Sequence, residues 1–424
     1  MRARRIPSKG IPIHRDLNGF FMTTILPKKS KARLHEILFV HLSIILKTIA
    51  LLLLRRPYKL TLLVAGGCNM QCRICTLWKN PNRTLSLEEV KEIWAAFPIK
   101  PCWINISGGE PTLNPALEEL LLFFVTQKRS LFISLTTNGY RNCRKTIENV
   151  LRHNKRSRLY IALSLDGKAT VHNALRGRPN AWERTHRTFE ELLLLKKNDA
   201  YLTVGVSITI SKFNYSRILS FVETMYSRTS AVNINLAQTS DYYENDSTGN
   251  FFQIPADRLA PLLRAIQSRL VNLRLNGILK TLYLDMAIRR IEGKRTKLPC
   301  ASVFSNVLVT ADLDLVDCIP LFTPWEPSDV STRSQRLQRL CRTIGAPKHR
   351  REVLEKRICA SKCEDDCLTP CESYVHLIAQ LTNPLRALVL SYRFLAIYVT
   401  SVLFKPYRVH ALAQDAIRSG STER

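Results

Sequence analysis

Three cysteines, Cys68, Cys72 and Cys75, constrain this chain more than any other feature of it. They follow the apolar run Leu60–Ala65, which reads as a β-strand, so they occupy a strand-end loop. Spacings of four and three residues let such a loop wrap three thiolates around one face of a compact metal centre, as an iron–sulfur cluster requires. A fourth cysteine would close the cluster; three leave one iron open to a small molecule. Zinc binding, or a redox pair made by two of the three, uses similar spacings and stays open at this point. Further on, Ser107-Gly108-Gly109-Glu110-Pro111 ends a second strand-like run, Trp103–Ile106. Paired glycines let backbone approach a ligand closely, and a neighbouring carboxylate can accept from an ammonium.

Taken together, Cys68-x3-Cys72-x2-Cys75 and the later Gly108-Gly109-Glu110 resemble the signature of the radical S-adenosylmethionine (radical SAM) enzymes. The resemblance implies that Cys68, Cys72 and Cys75 are catalytic and hold a [4Fe–4S] cluster. In that family the amino and carboxylate groups of SAM chelate the fourth iron. An electron from the cluster then cleaves SAM to methionine and a 5′-deoxyadenosyl radical, which takes a hydrogen atom from substrate. The glycines and Glu110 match the motif that contacts the SAM amino group. An electron donor such as flavodoxin or ferredoxin is implied as a partner.

From Lys59 to about Ala237 strand-like and helix-like stretches alternate, which predicts a parallel α/β architecture. Helices are expected over Leu87–Phe97, Pro115–Gln127, Arg144–His153, Ala181–Lys197 and Tyr215–Ser227. Further strands are expected over Leu131–Thr136, Tyr160–Ser164, Leu202–Ile210 and Val232–Ala237. Six strands in alternation suit the partial (β/α)6, TIM-like barrel that the resemblance implies, with ligands at the carboxyl ends of the strands. Asn138 lies at one such end, and Ser164 and Asp166 at the next; both segments resemble stretches lining the SAM pocket, and both are equally ordinary turns. Arg176, within His172–Gly177, is expected to hold the SAM carboxylate, its bland alternative being a solvated loop arginine. Ser207 and Thr209 share one face of the fifth strand. Residues 240–246 read as a polar loop placed to act as a lid, and 255–292 as helical.

Beyond residue 298 the pattern changes. Cys300 and Cys318 flank two short strands, Asn306–Thr310 and Asp314–Asp317, and Cys359, Cys363, Cys367 and Cys371 recur every fourth residue. This region resembles the SPASM or twitch extensions of radical SAM enzymes, which implies at least one auxiliary [4Fe–4S] cluster held by these six cysteines. Three departures stand out: Leu313 replaces the usual hairpin glycine, the later spacings are more regular than usual, and six cysteines fall short of two fully thiolate-ligated clusters unless Cys341 or another residue contributes. Zinc on the last four cysteines is the alternative. Cys102 and Cys143 read as plain small side chains.

The expected division is 1–57 as a basic amphipathic segment, 58–292 as the barrel, 293–375 as the auxiliary domain and 376–424 as an amphipathic tail. Twelve cysteines in 424 residues do not make a secreted disulfide scaffold, and their clustering indicates metal in a reducing, cytoplasmic setting. A net charge of +29 points to anionic partners. Residues 1–59 hold 13 Lys and Arg against Asp16 and Glu36, around an apolar run of 18 residues from Ile37 to Leu54. With Lys47 inside it, this run reads as a helix lying on the inner face of the membrane rather than spanning it, or else as a buried helix. The tail, with Leu385–Leu390 and Phe394–Val399 broken by arginines, reads the same way. The basic, apolar termini suggest a membrane lipid or isoprenoid as the leading substrate. A peptide, matured by an enzyme that uses the auxiliary cluster, is the alternative; RNA modification and a non-enzymatic Fe–S electron carrier follow, with nucleic acid ranked behind lipid as a partner.

Overall fold

The computed structural model describes residues 31–238, 240–243, 245, 254–294, 305–316, 318, 332–346, 377–378, 380 and 383–403. Helix α1 (Lys31–Leu53) precedes an alternating series. Strand β1 (Lys59–Ala65), α2 (Leu87–Ala96), β2 (Trp103–Gly108), α3 (Leu117–Val125), β3 (Phe132–Thr137), α4 (Arg144–His153) and β4 (Arg158–Ser164) form its first half. Then come α5 (Ala169–Arg176), α6 (Ala181–Asn198), β5 (Leu202–Ile210), α7 (Ile218–Arg228) and β6 (Val232–Leu236). Helices α8 (Ala256–Leu270) and α9 (Leu275–Ile291) follow, then the hairpin β7 (Asn306–Val309) and β8 (Leu315–Val316). Helices α10 (Arg333–Gly345) and α11 (Pro384–Leu403) complete the described chain.

Strands β1 to β6 lie side by side in chain order, every pair parallel, which is the winding of a partial barrel. The side-chain period of two gives the barrel its walls. Ile104, Ile106, Ile133, Leu135, Leu159 and Ile161 are almost fully buried, within the single main core that the flanking helices join. The alternate positions are polar and bond to one another. Trp103 Nε1 donates to Ser134 Oγ at 2.8 Å, Ser134 Oγ to Asn105 Oδ1 at 2.8 Å, and Asn235 Nδ2 to Ser207 Oγ at 2.7 Å. Local signals agree with the elements: Ser86 and Glu89 form a reciprocal capping box at the start of α2, and Thr332 and Gln335 do the same for α10.

The hairpin expected to open the auxiliary domain extends the barrel sheet. β7 pairs parallel with β1, giving the order β6-β5-β4-β3-β2-β1-β7-β8, and Thr61 Oγ1 donates to Asn306 Oδ1 at 3.1 Å. The turn between β7 and β8 carries Leu313 at φ +67, a left-handed conformation that a side chain disfavours, with that side chain 3 % exposed in the core. Its burial offsets the backbone strain.

The amino ends of the strands make a floor of aromatic rings. Trp103 meets Phe132 edge to face with centroids 5.3 Å apart, and Phe132 stacks on Tyr160 at 6.3 Å. Helix α1 lies across this end. Its Leu51 and Leu52 cluster with Tyr58 and Cys102, and its Ile37 and Val40 with Tyr201. Among the described residues it is the one helix long and apolar enough to cross a membrane, over His35–Leu53.

Candidate functional site

The three cysteines sit at the other end, in the loop leaving β1. The structure fixes this loop mostly by backbone. The N–H groups of Gln71 and Arg73 donate to the carbonyls of Arg176 and Leu175 at 3.0 and 2.9 Å, so the loop is clamped to the last turn of α5. Arg178 Nε donates to Asn69 O at 3.0 Å. From the far side, Thr76 N and Oγ1 both donate to Tyr243 O, and Asn245 Nδ2 donates to Ile74 O, each at 3.0 Å. Gly177 makes the α5 clamp possible: it ends the helix at φ +65, and a Cβ there would lie 2.2 Å from Gln71 O.

Gly108 and Gly109 serve a similar close approach. Gly109 N donates to Ala65 O at 2.7 Å and Glu110 N to Gly67 O at 3.0 Å, so the β2 turn lies directly on the backbone leading into the cysteine loop. A Cβ on Gly109 would lie 2.2 Å from Gly67 O. The Glu110 side chain is 1 % exposed and engaged throughout. Its Oε1 accepts from Thr112 N, Thr112 Oγ1 and Thr137 Oγ1 at 3.0, 2.7 and 2.6 Å, and its Oε2 accepts from Asn138 N at 2.7 Å. Burial pushes this carboxyl up, against four donors that favour its ionised form. The carboxylate therefore ties the end of β2 to the end of β3.

Asn138 and Arg176 turn toward the thiols. Asn138 Nδ2 donates to Asn69 Oδ1 at 2.7 Å and approaches Cys68 Sγ at 3.7 Å. Arg176 is not a solvated loop residue: α5 carries it inward, with its side chain 14 % exposed, onto the fully buried Asp166. Nε and Nη2 both donate to Asp166 Oδ2, at 2.7 and 2.6 Å, and Nη1 reaches Cys72 Sγ at 3.8 Å. Asp166 Oδ1 accepts from Thr209 N at 2.8 Å, which brings β5 into the network. Asp166 thus occupies the Nε/Nη2 edge of the guanidinium. Beneath them His172 Nδ1 accepts from Asp166 N at 3.2 Å; burial, then the Arg176 charge, holds this imidazole down to about 3. Ser164, at the end of β4, lies in register with Ser207 and is half-buried on the same inner wall.

The donor set suits an iron–sulfur cluster. Burial pushes the Cys68 and Cys75 thiols up to about 12 and Cys72 upward as well, with the Arg176 charge pulling Cys72 back. Thiols in such a place ionise by binding metal, which deprotonates a ligating thiol outright. Among the described residues no three His, Cys, Asp or Glu side chains are gathered as one metal ion would need. The thiols are still near enough for their charges to act on one another. A multi-iron cluster takes its thiolates at separate corners, as three cysteines on one loop can supply.

Sequence reasoning missed α5 as a helix and the parts of Gly177, Arg178, Tyr243 and Asn245 in pinning the loop. The Gly177 signal was available, a glycine just after an arginine-ended apolar repeat. Of the auxiliary cysteines, Cys318 is described and is 8 % exposed just past β8. Cys300, Cys359, Cys363, Cys367 and Cys371 lie outside the described residues. Cys341 is half-buried against the main core on α10, where burial and then Glu92 push its thiol up.

Residues 62–225 match the Radical SAM superfamily. The sporulation killing factor maturation protein SkfB of Bacillus subtilis is 28% identical over 174 residues, 39% of each chain. The mycofactocin maturase MftC of Mycolicibacterium smegmatis is 26% identical over 169 residues, 39% of this chain and 41% of that one. The chain thus spans about two fifths of the length of these relatives. Among solved structures, Streptococcus suis SuiB bound to S-adenosylmethionine aligns with a TM-score of 0.47 at 15% identity, covering 65% of this chain and 62% of that one. The matched segment runs from β1 through the cysteine loop to α7, so the similarity to that superfamily takes in the three cysteines and the Gly108–Glu110 turn.

Proposed function

We propose that this enzyme cleaves SAM reductively at a [4Fe–4S] cluster held by Cys68, Cys72 and Cys75, and that it acts on a peptide. The observation that carries the first part is the cysteine loop itself, clamped between the β2 turn and the end of α5 with a buried arginine against one thiol. When bound, the cluster and SAM supply a one-electron cleavage that yields a hydrogen-abstracting radical. The chain's own residues do the rest. Arg176 places a positive charge beside Cys72 and so favours its thiolate. Asn138 orients the loop through Asn69, and Asp166 fixes Arg176 in turn. The backbone carbonyls of the Gly108–Gly109 turn are the acceptors offered to the SAM ammonium, since the Glu110 carboxylate is already engaged. Ser164, on the inner wall, is left to meet the rest of SAM.

The peptide reading is supported by the relatives, one named a maturation protein and another a maturase. They favour it over the lipid or isoprenoid suggested by the termini. An auxiliary cluster on the C-terminal cysteines belongs to the same reading.

Anaerobic reconstitution of the wild type and of a Cys68→Ala/Cys72→Ala/Cys75→Ala variant, with iron, sulfide and zinc counted and 5′-deoxyadenosine followed under dithionite, tests both clusters. The expected result is a variant that keeps some iron but makes no 5′-deoxyadenosine. A wild type that cannot cleave SAM sinks the activity; a variant without iron sinks the auxiliary cluster. Turnover stimulated by polyprenyl lipid and not by precursor-type peptides would overturn the substrate reading.

A further inference from the structure

Helix α1 carries two apolar stripes, and the barrel covers only one. The inner stripe, Ile37, Val40, Ile44 and Leu51, packs on the floor, where Thr48 Oγ1 lies 3.2 Å from Cys102 Sγ. The outer stripe repeats at helical spacing as Phe39, Leu42, Leu46, Ile49 and Leu53, which are 71, 54, 58, 42 and 66 % exposed. An exposed apolar row of this length marks an interaction surface. Its borders are cationic. Lys47, Arg55 and Arg56 lie on or just past the helix, and a cavity of about 240 Å³ on the flank is lined by Lys47, Leu51, Leu54, Ile99, Lys100 and Arg129. The Lys100 ammonium is spent on the carbonyls of Trp94, Ala95 and Phe97. Lys47, Arg55, Arg56 and Arg129 have no carboxylate partner among the described residues.

We infer that the outer face of α1 is a docking surface for an anionic lipid bilayer, with the helix lying in the interface. Charge complementarity selects this occupant: an apolar stripe bordered by unpaired cations fits acyl chains beneath anionic headgroups, and the flank cavity beside Lys47 and Arg129 fits a headgroup. Helix α1 does not span, because its inner stripe is committed to the floor. The surface also sets an orientation. The floor meets the bilayer, while the cysteine loop sits at the far ends of strands of seven residues or so, roughly 20 Å away. The catalytic end therefore opens to the aqueous phase, where a peptide arrives and a bilayer lipid does not.

The test is flotation of the full-length chain with vesicles of phosphatidylcholine alone and of phosphatidylcholine with about one third phosphatidylglycerol. Binding at least about tenfold stronger to the anionic vesicles is expected. It should be lost in Phe39→Glu/Leu46→Glu and weakened severalfold in Lys47→Gln/Arg129→Gln, with the melting temperature of each variant unchanged. Equal binding to both vesicles, no binding, or binding that survives Phe39→Glu/Leu46→Glu overturns the inference. So does a dimer in light scattering that Phe39→Glu/Leu46→Glu splits while vesicles are ignored, since the face would then belong to a second copy.

Discussion

At the carboxyl ends of its strands this protein buries charge in pairs, Arg176 on Asp166 beside Cys72. At the amino ends it buries rings and two lysines without a carboxylate beside them: the Lys59 ammonium lies 4.9 Å over the Trp103 ring, and Lys280 Nζ donates to Ser230 O at 3.3 Å, just before β6. The upper end is a polar framework whose members hold one another in place, and the floor is a seal. Damage above should therefore disturb the site first, whereas damage below should disturb stability and leave the site intact.

The largest expected effect is at the top. Arg176→Ala strands the Asp166 carboxylate in the core and should cost about 3–5 kcal/mol in urea unfolding. Adding Asp166→Asn should recover part of it, because an amide carries no charge to strand. Trp103→Ala opens the floor and should cost about 2–3 kcal/mol, yet iron per folded chain should stay at the wild-type level. Lost iron would mean that the two ends are not independent. Gly177→Ala should cost less, about 1–3 kcal/mol, but iron retention should fall, since the new Cβ collides with the backbone of the cysteine loop.

Lys280→Met sharpens the contrast in the opposite direction. Burial holds Lys280 down to about 7 from an ordinary 10.5, so between those values the folded chain binds fewer protons than the unfolded one. Wild-type stability should then rise with pH across that window. The methionine variant should gain about 1–2 kcal/mol at pH 7 and lose that advantage toward pH 10.5. A gain equal at both pH values would show that packing, not charge, is responsible. Smallest of all, Phe39→Glu should shift unfolding by less than about 0.5 kcal/mol, because its side chain lies outside the fold.

The barrel was legible because its signals are local. Period-two strands and amphipathic helices place β1 to β6 to within a residue or two, and the cysteine spacing marks the loop after the first of them. What escaped depends on partners far apart in the chain. Nothing near Asn306 indicates that β7 will lie beside β1, so this pairing is invisible in the sequence. Likewise the bonds that tie Glu110 to Thr137 and Asn138, and Arg176 to Asp166, cannot be read from spacing alone.

The clamps on the cysteine loop have an evolutionary consequence. Gln71 and Arg73 hold it through N–H groups that every residue but proline supplies, and both side chains are exposed. Positions 71 and 73 can therefore drift while the loop keeps its shape, whereas Asn69, bonded through its side chain to Asn138, and the buried Met70 cannot. Related chains can vary those two positions, and proline, which lacks the N–H, is barred there.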